Sequence, residues 1–219
     1  MKYCRKIALV LTALALVLSL GGCQKEAQAP ADGPSAELAY PGTDWTMSPD
    51  QLKDALSLPA GSLAERETPA DPDAGEEGQY ALAVEDWEGF GASGSATFLF
   101  GEDAAAPGTY RLRLVQILLK SSADFQAVVD ALTAQYGEPA EAQEETARWE
   151  SETTIGAYLE DGADVLPEAE DPEDSAFTAD APLATIDLNS VNLGDYGYTL
   201  IFNGKLSTIN NLVYSASET

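Results

Sequence analysis

The residues that could do chemistry in this chain are defined first by what is missing. There is no histidine, which removes the commonest general base and the usual imidazole ligand for metals. Ser-His-Asp and Cys-His constellations and histidine-based zinc sites go with it. The sequence also lacks a Ser-x-x-Lys pair, a Gly-x-Ser-x-Gly elbow and a phosphate loop. Carboxylate chemistry survives, because a glycosidase needs only two acids about 5 to 9.5 Å apart. With 37 Asp and Glu, a pair at that spacing is close to inevitable and identifies nothing. Trp45, Trp87 and Trp149 could stack sugars beside such a pair. Large aromatic side chains are more often half-buried or core residues, and each of these lies beside an expected helix start or strand. Clustered carboxylates are also hard ligands for calcium. In Asp71-Pro72-Asp73-Ala74-Gly75-Glu76-Glu77-Gly78, however, the glycine comes one position early and the twelfth position is Leu82 where a bidentate Glu is required. That segment reads as a solvated acidic loop, with no metal and no cofactor assigned.

One residue does carry a specific signal. Lys2, Arg5 and Lys6 precede an apolar run from Ile7 to Leu20, broken only by Thr12 and Ser19, which closes on Leu20-Gly21-Gly22-Cys23. A basic start, an apolar stretch of this length and small residues before a cut site are the parts of a secretory signal peptide. A membrane-spanning helix would need roughly 18 or more consecutive apolar residues. The Leu-Gly-Gly-Cys ending resembles the lipobox of bacterial lipoproteins. The resemblance implies cleavage between Gly22 and Cys23 and a diacylglyceryl group on the Cys23 sulfur. Two acyl chains hold firmly where one is marginal, at about 0.8 kcal/mol per buried methylene. Cys4 would leave with the signal, so no thiol remains for a disulfide, a metal or a nucleophile. The expected location is extracytoplasmic, anchored by lipid to the cell membrane or, in a diderm host, to the outer membrane.

Charge restricts the partners. The net charge is −26, and loss of Lys2, Arg5 and Lys6 takes it to −29. A polyanion of this strength has no electrostatic route to nucleic acid and is repelled by anionic headgroups. Residues 1–22 read as the signal and 23–43 as the lipidated cysteine and a disordered tether rich in Ala, Pro, Gly and acids. Residues 44–219 read as a single domain.

Within that domain, Ser48-Pro49-Asp50-Gln51-Leu52 is a full helix entry: Ser48 as N-cap, Pro49 at the first helical position and Gln51 closing a capping box. Pro59 and Gly61 end it. A second helix is expected from the helical spacing of Phe125, Val128, Val129, Leu132 and Tyr136, capped by Ser121 or Ser122 and stopped at Gly137-Glu138-Pro139. Between the two, alternation marks strands at Tyr80/Leu82/Val84, Phe98/Phe100 and Tyr110/Leu112/Leu114, the last slipping phase at Leu114-Val115 through a bulge or through burial on both faces. Further strands are expected at 147–150, 153–159, 184–188 and 198–203. Two acidic stretches, 65–78 and 160–182, read as loops with too little apolar surface to offset the entropy of ordering. The expected class is α+β, with short helices packed on one face of an antiparallel sheet. The element order is compatible with two helix-then-meander repeats.

The segment from Trp45 to Leu56 is similar to the helix opening of small bacterial envelope lipoproteins of the SmpA/OmlA type and of the β-lactamase-inhibitor-protein fold. Phe125 to Leu132 with Tyr136-Gly137-Glu138-Pro139 is similar to a second-helix ending in such lipoproteins. The first helix departs from the pattern, running Leu56-Ser57-Leu58-Pro59 where Leu-Gly is usual, and no inhibitory loop residue carries over. The resemblance implies a helix-plus-meander fold and an envelope location. The expected function is a non-enzymatic, lipid-anchored protein that binds a protein or another envelope component. The alternative is a carboxylate-dependent glycan hydrolase or carbohydrate-binding module.

Overall fold

The structure is a computed structural model and describes residues 36–58, 63–71, 77–160, 166 and 177–217. Cys23, Gly22, the signal peptide and the tether up to residue 35 lie outside the described residues. The first element is α1, Pro49–Ala55, where Ser48 Oγ accepts the Gln51 N–H and Gln51 Oε1 accepts the Ser48 N–H. Both halves of the expected capping box are therefore made. Leu52, one turn in, is fully buried.

Four strands follow: β1 (Leu63–Thr68), β2 (Gln79–Gly89), β3 (Ala92–Glu102) and β4 (Tyr110–Lys120). Next come α2 (Phe125–Tyr136), β5 (Glu141–Gln143), β6 (Thr146–Glu150), α3 (Ile155–Leu159), β7 (Ala184–Leu193), β8 (Tyr196–Gly204) and α4 (Leu206–Ser217). All eight strands join one antiparallel sheet in the order β1-β2-β3-β4-β8-β7-β6-β5. Its centre is the pairing of β4 with β8, each the last strand of its run. The molecule is thus mixed α+β with an antiparallel sheet, as the alternation implied.

Because side chains alternate across a strand, register assigns each residue to a face. The row Leu82, Phe98, Val115, Phe202, Ile186, Trp149 crosses six strands, and every member is at most 1% exposed. Tyr136 of α2 meets Phe202 edge-on at 6.0 Å and donates its hydroxyl to the Ala39 carbonyl. Phe125 meets Tyr198 at 5.6 Å. At roughly 1.5–3 kcal/mol for each large apolar side chain fully buried, this row is a main source of stability.

Several expectations are corrected. Asp124, not Ser121 or Ser122, caps α2: its Oδ1 accepts the Ala127 N–H. Residues 153–159 do not form a strand, because Thr154 Oγ1 accepts the Ala157 N–H and opens α3. The stretch 65–78 is not all loop, since it begins inside β1. The 160–182 stretch is pinned at its end: Phe177 and Ala181 pack on the core, and the Ile155 and Gly156 N–H groups donate to Ala181 and Ala179. Residues 36–43, within the stretch read as tether, include side chains packed on the domain. Ala36 and Ala39 are buried, and the Glu37 carbonyl accepts the Trp45 indole N–H. The phase slip in β4 is a bulge one residue earlier than expected. Leu99 pairs with Leu114 and Phe100 with Leu112, so Arg113 is the extra residue and Leu114 faces away from Leu112.

Candidate binding surface

Three registered rows run across the outward face of the sheet. One runs Arg66, Ala81, Leu99, Leu114, Asn203, Thr185, Glu150; the next Ala64, Ala83, Thr97, Gln116, Ile201, Asp187, Arg148, Glu141; the third Ser95, Leu118, Thr199, Asn189, Thr146, Gln143. Small, hydroxyl, amide and aliphatic side chains dominate. The acids are confined to the β5–β7 side, where Arg148 pairs with Glu150 at 2.8 Å and with Asp187 at 3.2 Å. In a chain of net charge −26, the centre of this face, across β2, β3, β4 and β8, has no carboxylate at any of these positions.

At one end of the face, the β4 bulge and α4 build a cavity of ≈ 310 Å³ whose wall includes Leu99, Leu114, Phe177, Asn203, Arg113 and Lys205. Arg113 can lie flat because Gly101 has no side chain: a Cβ there would fall 1.9 Å from Arg113 Nε. The guanidinium donates Nε–H to Ser207 Oγ at 3.2 Å and pairs through Nη1 with Glu77 at 2.6 Å. Its Nη2 is buried with no hydrogen-bond partner. Lys205 is only 8% exposed, and its Nζ sits 5.9 Å from the Phe177 ring centroid, within reach of a cation–π attraction. Burial pushes the Lys205 amine below its ordinary pKa, and Arg148 adds to this, against Glu150 and Asp187.

The residues singled out from sequence fare differently. Trp45, Trp87 and Trp149 are all core, at 0%, 6% and 1% exposure. Their indole N–H groups donate to the Glu37 carbonyl, the Tyr40 hydroxyl and the Gly137 carbonyl, so none stands free as a sugar platform. Most of the Asp71–Gly78 segment lies outside the described residues, and among those described no group of three or more acids or thiols is placed to hold a metal. No helix among the described residues is long and apolar enough to cross a membrane. Sequence reading missed Lys205 and the Arg113–Gly101 fit. Comparison of the chain with protein-family models, characterised proteins and solved structures gives no match.

Proposed function

We propose that this chain is a lipid-anchored, non-enzymatic protein of the bacterial envelope that binds a protein or another envelope component through the open face of its sheet. The anchor is Cys23, with the signal peptide cut after Gly22. In this reading α1 and α2 cover the opposite face. The halves α1-β1-β2-β3-β4 and α2-β5-β6-β7-β8 are two helix-then-meander repeats meeting at β4 and β8, in line with the resemblance to SmpA/OmlA-type and β-lactamase-inhibitor-protein folds. The observation that carries the reading is charge exclusion. A chain this acidic places carboxylates widely, and their absence from the half-buried positions in the middle of this broad sheet face supports a surface that meets something other than bulk water. The carbohydrate alternative loses its stacking platforms, since the three tryptophans are packed inside.

Two measurements test this. Cys23→Ser is expected to move the protein from the membrane fraction to the soluble one, and unchanged membrane retention would refute the anchor. Cross-linking pull-down from intact cells is expected to recover a partner with the native chain and to lose it with Gln116→Arg/Ile201→Arg. Those positions are outward-facing, so the variant should stay folded by circular dichroism. Recovery of the same partner by the folded variant would exclude the sheet face, and no partner at all, with an envelope unaltered by deletion, would refute the binding role.

A further inference from the structure

Lys205 occupies an electrostatically poor place. It immediately precedes α4, at the position where Ser, Thr, Asp or Asn normally caps a helix, and its carbonyl accepts the Ile209 N–H. The N–H groups of Leu206, Ser207 and Thr208 have no hydrogen-bond acceptor among the described residues. A helix N-terminus carries partial positive charge and favours anions; here a lysine side chain is added to it. Lys205 is 8% exposed and forms no direct ion pair among the described residues, with Glu150 and Asp187 acting on it only at longer range and against Arg148. The nearby Arg113 leaves one buried nitrogen unpartnered, although its other two are engaged. Two cations and an uncapped helix end therefore converge on one cavity, whose remaining wall is apolar at Leu99, Leu114 and Phe177.

We propose that this cavity binds a small amphipathic organic acid, with its carboxylate between Lys205, Arg113 and the first turn of α4 and its short apolar body against Leu114 and Phe177. The head would supply the capping acceptor that the sequence omits and neutralise a buried cation. The tail would take the apolar part, in the usual pattern of a mostly apolar pocket with a few convergent polar groups. The volume suits a ligand of this size and is too small for a folded partner. The inference does not depend on the sheet-face reading, because the cavity can be filled whether or not a macromolecule covers that face.

The test titrates the ¹⁵N-labelled full-length chain with octanoate, acetate and octanol and follows the amide signals of Leu206, Ser207 and Thr208. Octanoate should shift these signals saturably and bind at least tenfold more tightly than acetate, while octanol leaves them in place. Lys205→Met and, separately, Thr208→Glu, which puts a carboxylate at the cavity wall, should each weaken octanoate at least tenfold with the rest of the spectrum retained. Absence of saturation, equal affinity for acetate, or undiminished binding by either folded variant would overturn the proposal.

Discussion

The two faces of the sheet are built from the same strands and differ by a one-residue step, yet they obey different rules. Leu82, Phe98, Val115, Phe202, Ile186 and Trp149 make one row, each at most 1% exposed. Shifted by one residue, the adjoining row is Ala83, Thr97, Gln116, Ile201, Asp187 and Arg148. The first row is closed by aromatic packing: Tyr40 touches Phe90, Phe98 and Phe202 edge-on, with centroids 6.4, 5.4 and 5.6 Å away. Its polar atoms all have internal partners. The second row keeps small, polar and aliphatic side chains at the centre and moves its charges to one side. One face is thus packed into the core and the other is half-exposed, and substitutions should separate the two by size of effect.

The largest loss should come from Trp149→Ala. It deletes a buried ring at the end of the core row together with the indole bond to the Gly137 carbonyl, which lies just past α2. A cost of about 3–5 kcal/mol is expected, read as a shift of the urea midpoint; a loss under about 1 kcal/mol would mean that the row relaxes around the gap. Gly204→Ala should cost less, about 1–3 kcal/mol. The added Cβ would fall 2.1 Å from the Trp45 ring, and that ring is fully buried and cannot swing away. A neutral result would show that Trp45 and the residues before α1 shift as a unit.

What could be read in the sequence follows the same division. Most elements whose burial repeats with their own period, or whose entry is signalled, were legible: α1 through its capping box, α2 through Val128, Val129 and Leu132, and β2, β3, β4, β7 and β8 through their apolar runs. Strand β1 was not, because two of its three inward positions are Glu65 and Glu67, so Leu63–Thr68 shows no apolar alternation and all but Leu63 are exposed. Residues 153–159 misled because Thr153, Thr154 and Ile155 are β-branched and favour strands. The Thr154 cap and the tie to Ala179 and Ala181 outweighed that preference. Helix α4 has no cap residue at its start, so its entry gave no signal, although Leu206 and Ile209 have core spacing. The cavity could not be foreseen at all. It exists because a bulge turns Arg113 over Gly101 and because the chain returns β8 to the side of β4, and neither is encoded locally.

Edge strand β1 is where the contrast between faces breaks down, and it gives the smallest and most specific test. Here the inward row continues into carboxylates, and tyrosine hydroxyls make this tolerable: Tyr80 donates to Glu65, and Tyr110 donates to Glu67 Oε1 at 2.9 Å. Desolvation first, and then the bond to Glu65, push the Tyr80 phenol up to about 12, while that bond holds Glu65 below its ordinary pKa. A phenol whose folded pKa lies above its unfolded value of about 10 favours the fold while it is neutral. Its contribution is complete below about pH 10 and is lost as pH rises towards 12. Tyr80→Phe should therefore lose less stability than the native chain between pH 9 and pH 11.5, in paired urea titrations. Both should still decline, because the Tyr110, Tyr40 and Tyr136 phenols are also raised, mainly by burial. If the two chains decline in parallel, the Tyr80 hydroxyl does not couple β1 to the sheet, and Glu65 is held at this edge by Lys53, 3.4 Å away.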